Sequence, residues 1–335
     1  MKNISGSIII VNYKTANLLL DCLASLCRYA HDNLEILVVD NLSGDEAEVW
    51  LAEHYPFVKF IQTGYNAGFA RANNIGIRQA VGEIILLLNS DTIIHENAIQ
   101  ECMHRLSQAP EIAAGVQLLN TDGSPQISGN YIITGGLNYL LPLPVMGKFF
   151  KWLAGLVGVK KTHVPEALNK VNVDWINGAF FMVKKSAIEK AGLLDEDFFL
   201  YFEEAEWCSR LKKQGSLCIY GDLHVTHLQG ESANEAFGSA GKGYFNLADK
   251  KGYQIMLSCF LRMKKEFGTG WMLFLLLFYV LNIPVYLLAA FFKNFIAKPG
   301  EQPLTHWKGY TQNVFKVLRW VPRIISGRSY FYKIL

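Results

Sequence analysis

The stretch Glu83–Asp91, EIILLLNSD, is a run of five aliphatic residues that stops at Asn89, Ser90 and Asp91. A short, uninterrupted apolar run of this kind reads as a strand covered on both faces. Two earlier segments are built the same way: Ser7–Asn12 (SIIIVN) leads into Tyr13, and Glu35–Asp40 (EILVVD) leads into Asn41. Between the strands the period changes. Thr15–Tyr29 sets Leu18, Leu19, Cys22, Leu23 and Leu26 at helical spacing, and Phe69–Val81 and His95–Gln108 also read as helices. Val58–Gln62 and Ile112–Leu119 complete five strands. Strand alternating with helix predicts an α/β domain, Rossmann-like, with a mostly parallel sheet and right-handed crossovers.

The alternation breaks after residue 120. Residues 120–170 are rich in Gly and Pro and contain an apolar patch, Leu137–Val159. Extended runs return at Val171–Ile176 and Ala179–Val183, a helix fits Glu203–Gln214, a strand fits Leu217–Tyr220, and a short extended piece ends at His227. A soft boundary falls in GESANEAFGSAGKG, near 230–240. We therefore expect a catalytic domain over 1–235 and a helical region over 236–335.

Composition agrees with a folded body carrying a special tail. Hydrophobic residues make up 51% and charged residues 18% of the 335, which excludes a disordered chain or a nucleic-acid arm. The net charge of +3 is an average over unlike parts. Residues 293–335 hold eight Lys/Arg against one Glu, and residues 1–292 hold 24 against 28. Ahead of the basic tail, Trp271–Phe292 (WMLFLLLFYVLNIPVYLLAAFF) is long enough to cross or enter a bilayer. Basic residues flank it on both sides, so charge bias does not orient it. Whether the run spans or dips stays open; Pro284, preceded by Asn282, can kink it into a short hairpin, and a dip into the inner leaflet is favoured. Within His306–Ile325, apolar Trp307, Tyr310, Val314, Val317, Leu318, Val321 and Ile325 repeat near helical spacing, while Lys308, Lys316, Arg319 and Arg323 lie elsewhere. Such a basic amphipathic helix suits an anionic leaflet. The N-terminus lacks signal-peptide shape, so the body is expected in the cytoplasm. Six cysteines without paired spacing fit reduced, mostly buried thiols.

In open parallel sheets ligands bind at the carboxyl ends of the strands. Asn12, Tyr13, Asp40, Asn89 and Asp91 stand there. Asp40 can accept from the N3–H of a uracil or thymine ring, with Asn12 and Tyr13 flanking base or ribose. Asp91 can hold Mg²⁺ or Mn²⁺ against a diphosphate, or cap the following helix. The Gly- and Asn-rich segment GYNAGFARANNIG, 64–76, offers Asn66, Arg71 and Asn74 to a ligand. Neither a dinucleotide fingerprint nor a phosphate-binding loop motif is present. In Phe198–Arg210 (FFLYFEEAEWCSR), Glu203, Glu204 and Glu206 lie among aromatic residues. That setting can raise a carboxyl pKa toward general-base work. His227 follows a short strand, where a lone His is structural or a ligand.

The ordered blocks VNYKT, VVDN, NAGFARANNIGIRQAVGEIILLLNSDT, VDWINGAFFMVKKSAIEKAGLLDEDFFLYFEEAEWCSRLKKQG and VTHLQGES resemble the family 2 glycosyltransferases of bacterial surface polysaccharide synthesis, particularly the rhamnosyltransferase-like branch. The resemblance covers residues 5 to about 235. It implies a GT-A fold, a nucleotide-diphosphate sugar donor and inversion at the anomeric carbon. On it, Asp40 matches the base-binding Asp, and Asn89-Ser90-Asp91 matches the DxD metal motif with Asn for the first Asp. Glu203-Glu204 matches the Glu-Asp pair that carries the catalytic base. The choice between the two stays open, with Glu204 favoured. His227 matches a His of the metal shell in some relatives, and Trp175, Asn177 and Gly178 match the donor–acceptor cleft. The implied partners are dTDP-rhamnose or a UDP-sugar, a polyprenyl-diphosphate-linked saccharide, and the cytoplasmic face of the inner membrane, with no nucleic acid. A processive synthase is disfavoured, because Gln312 and Arg319-Trp320 are too far apart for QxxRW and there is a single apolar run. A non-catalytic membrane scaffold is the alternative of another class.

Overall fold

The computed structural model describes residues 5–29, 33–132, 136–156, 158, 162–228, 237, 239, 246–295 and 302–334. The chain forms two compact units. The first comprises Met1–Ile133, Thr162–Phe199 and Glu203–Ser232, the second Thr134–Lys161, Leu200–Phe202 and Ala233–Leu335. Most of the Gly-rich boundary sequence near 230–240 lies outside the described residues.

The first unit is built on strands β1 (Gly6–Asn12), β2 (Leu34–Asp40), β3 (Lys59–Gln62), β4 (Ile84–Asn89), β5 (Thr92–Ile94), β6 (Ala113–Leu119), β7 (Gly129–Asn130), β8 (Lys170–Val173), β9 (Trp175–Ile176), β10 (Phe180–Lys184) and β11 (Leu217–His227). The main sheet runs β3-β2-β1-β4-β10-β6-β11-β5, with β8 on β11. β1, β2, β3 and β4 pair in parallel, as the alternation predicts. Beyond β4 the sheet is mixed, because β10 enters antiparallel between β4 and β6. Local periodicity cannot announce a strand that returns to the sheet after a long excursion.

Both faces of the sheet are covered, which is why its central strands are apolar without alternation. Ile8, Ile10, Leu86 and Leu88 pack on one side with helices α1 (Ala16–Tyr29) and α4 (Ala98–Gln108). Ile9, Leu37, Val39, Ile85 and Leu87 pack on the other with Trp207. Two further helices of this unit, α2 (Ala47–His54) and Lys185–Ala191, have no clear sequence signal. The pieces expected at Leu217–Tyr220 and before His227 form one strand, irregular between Tyr220 and His224. Helix Glu203–Leu211 is shorter than expected. All six cysteines are free thiols, and all but Cys27 are buried.

In the second unit, helices Lys250–Phe267, Thr269–Asn294 and Pro303–Ser326 assemble with helix Met146–Leu156 and the short helical turn Leu137–Leu140. Thr269–Asn294 is long and apolar enough to cross a membrane, and only 28% of its most apolar window is buried. The expected hairpin at Pro284 does not form, and the helix continues through the proline. On the turn and a half before the proline, the backbone carbonyls of Tyr279 and Ile283 accept from Tyr310 Oη at 2.7 Å and Trp307 Nε1 at 3.0 Å. The tail helix also differs from expectation. Its stripe is divided: Tyr310, Val314 and Val317 are buried, Trp307, Leu318 and Val321 are half-buried, and Ile325 is exposed. Asn313 on the same side donates to the carbonyls of Leu247 and Asp249. The amphipathic pattern is that of a helix packed on its own unit.

Candidate functional site

The carboxyl ends of β1, β2 and β4 lie side by side, since the register pairs Asn12 with Asp40 and Val11 with Asn89. The polar residues ending these strands form one connected rim. Asp40, 2% exposed, accepts four hydrogen bonds: from Asn12 Nδ2 at 2.7 Å, Ser43 Oγ at 2.5 Å, Ser43 N at 2.9 Å and Gln62 Nε2 at 2.9 Å. A carboxylate offers about four such positions, so Asp40 is saturated and shapes the turn after β2. Asp45 closes the same turn, accepting from Ala16 N and from Asn12 Nδ2. Asn12 Oδ1 accepts from Thr15 Oγ1 at 2.9 Å, and Thr15 Oγ1 reaches Ser90 Oγ at 3.0 Å. The β2 end is thereby tied to the β4 end. Tyr13 stands next to Asn12, with Lys14 Nζ 5.5 Å from its ring centre.

The β4 end is of opposite character. Asp91 is 1% exposed, yet neither carboxylate oxygen has a hydrogen-bond partner among the described residues. A buried carboxylate without donors is costly unless a cation or a proton meets it. The neighbour placed to share such a cation is His227, whose Nε2 lies 3.4 Å from Asp91 Oδ1 and 3.4 Å from Asn89 Nδ2. The antiparallel pairing of β11 with β5 sets His227 opposite Thr92 and so beside Asp91. The imidazole tautomer follows from Gln126. Its Nε2 donates to the His227 carbonyl at 2.6 Å and to Asn120 Oδ1 at 2.9 Å, so its Oε1 must be the acceptor facing His227 Nδ1 at 3.0 Å. With Nδ1 protonated, the neutral ring turns the Nε2 lone pair toward Asp91.

These groups fit a divalent cation. A hard ion such as Mg²⁺ or Mn²⁺ typically takes one or two protein ligands and completes its shell with phosphate and water. The orphaned Asp91 oxygens and the His227 lone pair match that share. No cluster of three or more His, Cys, Asp and Glu occurs among the described residues, so the protein alone does not complete a metal shell.

The 64–76 segment serves a different purpose from the one its composition suggests. Asn74 is fully buried and exchanges hydrogen bonds with the backbone of Leu194, while also donating to Glu196. Arg71 Nε donates to the Glu196 carbonyl at 2.9 Å, and Arg78 pairs with the Glu196 side chain. Asn66 Oδ1 caps the Gly68 N–H at 3.1 Å. Asn41, absent from the sequence candidates, anchors the loop by accepting from Ala67 N and donating to the Gly68 carbonyl. Gly68 has φ +70°, and a Cβ there would overlap the Phe199 carbonyl. The segment is thus held against 194–199, the chain leading toward the glutamates.

Glu203, Glu204 and Glu206 open helix Glu203–Leu211, which starts after two consecutive left-handed residues, Tyr201 (φ 73°) and Phe202 (φ 70°). Bulky residues rarely adopt such backbone, and strain of this kind gathers at functional sites. The three carboxylates differ. Glu206 forms a two-pronged ion pair with Arg210 at 2.7 Å on each arm and is structural. Glu203 is 3% exposed, with Oε2 unpartnered. Burial, and then the Glu204 charge, push its carboxyl well above the usual range. Glu204 is half-buried and faces Gly178 and Phe69, its Cγ 3.7 Å from where a Gly178 Cβ would sit. Asn177 fixes that approach by donating to the Ile127 carbonyl and accepting from Ala179 N, and the Ala179 carbonyl accepts from Asn89 N. Trp175 on β9 pairs with Asn130. Ser43, Asp45, Gln62 and Asn41 belong to a polar run after β2 or end β3, a turn signal that was available. Nothing local marks Gln126.

Comparison with known proteins bears on the family and the fold. The hexosyltransferase Agl10 of low-salt glycan biosynthesis in Haloferax volcanii is 30% identical over 214 residues, covering 62% of this chain and 62% of that protein. An N-acetylglucosaminyl-diphospho-decaprenol L-rhamnosyltransferase of Mycobacterium tuberculosis is 26% identical, covering 64% and 72%. The dTDP-rhamnosyl transferase RfbF of Shigella flexneri is 25% identical, covering 63% and 65%. The chain thus spans under two thirds of the first and last of these relatives. In fold, a mannosyltransferase of Pyrobaculum calidifontis solved with GDP-mannose and Mn²⁺ superposes with a TM-score of 0.51 at 14% identity, covering 95% of this chain and 86% of that one. GalNAc-T7 with UDP, GalNAc and Mn²⁺ gives 0.51 at 15%, covering 67% and 43%. Residues 7–154 match the family described as glycosyl transferase family 2, and with the mixed sheet and its strand-end rim this chain carries a family 2 glycosyltransferase domain of GT-A fold.

Proposed function

We propose that the protein is a metal-dependent, inverting glycosyltransferase moving one sugar from a pyrimidine nucleoside-diphosphate donor to a lipid-linked saccharide in cell-surface polysaccharide synthesis. The observation that carries this is the orphaned, buried Asp91 carboxylate facing the His227 Nε2 lone pair at a strand-end rim. dTDP-rhamnose is the favoured donor. A UDP-hexose is the second choice, prompted by the hexosyltransferase name of the Haloferax relative.

In this reading Asp40, Asn12 and Tyr13 shape the base and ribose pocket. Because Asp40 is saturated, a base N3–H would replace one of its present donors, most simply the Gln62 amide at 2.9 Å. Asp91 and His227, with Asn89 beside them, would hold Mg²⁺ or Mn²⁺. When bound, that ion supplies positive charge opposite the departing diphosphate. Asn66, Arg71 and Asn74 act by fixing the loop that leads to Phe69. Trp175, Asn177 and Gly178 line the approach to Glu204. Glu204 Oε takes the proton of the acceptor hydroxyl as its oxygen bonds to the sugar C1. The bond from C1 to the diphosphate breaks, and the nucleoside diphosphate leaves with the electron pair. A single displacement inverts C1 and needs one base. The upward shift of the Glu203 carboxyl favours its neutral form beside that base.

Helix Thr269–Asn294 suits membrane association at the cytoplasmic face of the inner membrane. The test is turnover of a nucleotide-sugar panel with Mg²⁺ or Mn²⁺ on a lipid-linked acceptor. Glu204→Gln should lower kcat by roughly 10²–10⁴-fold, the range of general-base contributions, with nucleotide affinity kept. Full turnover in both Glu204→Gln and Asp91→Ala would sink the assignment.

A further inference from the structure

The apolar patch that sequence reading finds at Leu137–Val159 has no part in the rim chemistry. In the second unit it borders a cleft of about 570 Å³, within the size range of small-ligand sites. Leu141, Pro144, Val145 and Tyr286 give the cleft apolar walls. Lys148, Lys151 and His306 stand on its lining, and no Asp or Glu does. The wall is a built feature. Val145 has φ +66°, a backbone that β-branched residues rarely adopt. Gly147 sits where a Cβ would overlap the Leu141 carbonyl. Two bonds hold the turn, Met146 N to the Pro144 carbonyl at 2.8 Å and Gly147 N to the Leu143 carbonyl at 2.9 Å.

The same elements expose apolar side chains. Helix Met146–Leu156 presents Phe149, Trp152 and Leu153 to solvent, at 54, 60 and 43% exposure, on the segment that brings the two lysines. It packs on Thr269–Asn294 through Phe150 and Phe278, whose ring centres are 5.7 Å apart. Tyr286 of the cleft belongs to that bilayer-length helix. An apolar cleft whose charged lining residues are two lysines, with no acidic residue opposing them, and bounded by a helix fit for lipid, suits an amphiphile. Its head must be anionic and its tail apolar. A cationic ligand would meet two lysines.

We infer that this cleft binds the phosphate-bearing end of an isoprenyl lipid, with Lys148 and Lys151 as the anion contacts and the 141–145 turn and Tyr286 as the tail wall. The inference rests on the proposed lipid-linked acceptor for the choice of an isoprenyl tail, and assigns that acceptor a site on this chain.

The test titrates the purified full-length chain with farnesyl diphosphate, inorganic diphosphate and farnesol, in EDTA so that no metal-held diphosphate contributes. Farnesyl diphosphate should bind at least tenfold tighter than either fragment, and K148E/K151E should lose at least tenfold of that affinity. K148Q/K151Q carries the test if the charge reversal fails to fold. Equal binding of inorganic diphosphate (a plain anion site), equal binding of farnesol (a plain apolar cleft), or unchanged binding by the lysine variants would overturn the inference. So would a variant that detaches from anionic vesicles yet keeps farnesyl diphosphate, because its lysines would then serve the bilayer surface. Nucleotide-sugar turnover measured in parallel separates the two ideas. Lipid binding without any turnover sinks the transferase reading alone, and turnover on the lipid-linked acceptor without farnesyl diphosphate binding sinks the cleft alone.

Discussion

Asp40 ends β2 and Asp91 follows β4, on either side of β1 in the same sheet, and the two are almost equally buried, at 2% and 1% exposure. Asp40 accepts four hydrogen bonds, and Asp91 accepts none among the described residues. Equal burial with opposite satisfaction separates two uses of a strand-end carboxylate. The first shapes a pocket and contributes to folding. The second is buried without donors, a state that the proposed cation would relieve. The same contrast recurs within helix Glu203–Leu211, where Glu206 is paired to Arg210 and Glu203 is not paired at Oε2.

The sharpest way to break this comparison is Asp91→Asn. Turnover should fall by roughly 10³-fold, in the range seen when a group holding transition-state charge is lost. Thermal stability in metal-free buffer should rise by about 1 kcal/mol, because an uncompensated charge is gone. Added Mn²⁺ should raise the melting temperature of the wild type and not of the variant. A loss of stability in Asp91→Asn would show that Asp91 is a structural cap after all.

Asp40→Ala should behave in the opposite way. Stranding the Asn12, Ser43 and Gln62 donors should cost about 2–4 kcal/mol in denaturant unfolding, along with nucleotide affinity. A neutral result would remove Asp40 from the folding role. Gln126→Leu tests how His227 is aimed. Freeing Nδ1 should weaken Mn²⁺ binding by about 10–100-fold, read by titration with the nucleoside diphosphate present, with little change in unfolding midpoint. An unchanged metal affinity would separate His227 from Asp91.

The smallest expected effect is a pH dependence. Glu203 has its folded pKa raised above the unfolded value of about 4.3. Its contribution to stability is therefore complete below that pH and is lost as pH rises toward the folded pKa, at up to about 1.4 kcal/mol per pH unit. Glu203→Gln removes this slope. Its stability relative to wild type should increase with pH above about 4.3, and parallel profiles would show that Glu203 ionises freely.

Much of the first half was legible because its signals are local. SIIIVN, EILVVD and EIILLLN are strands within a residue or two of their expected bounds, since a strand buried on both faces must be apolar at every position. The polar residues that end them were legible for the same reason. Asn74 and Arg71 were readable as polar groups near a glycine-rich turn, but their commitment to 194–196 depends on chain more than 100 residues away. The tail helix shows the limit most plainly. Its amphipathic stripe is correct, and only the partner helices decide that part of the stripe packs inward.

By itself the sequence determined the α/β class, the polar strand ends, the carboxylate cluster at 203–206 and one bilayer-length apolar helix. Each is encoded in consecutive residues, where period and composition act directly on the backbone. The tertiary structure alone decided that β10 enters between β4 and β6, and that β11 returns beside β5 to bring His227 against Asp91. It also decided that Gln126 sets the imidazole tautomer and that Glu203, not Glu204, is the carboxyl sealed from water. Satisfaction and burial are properties of a group's surroundings, and those arrive from distant parts of the chain.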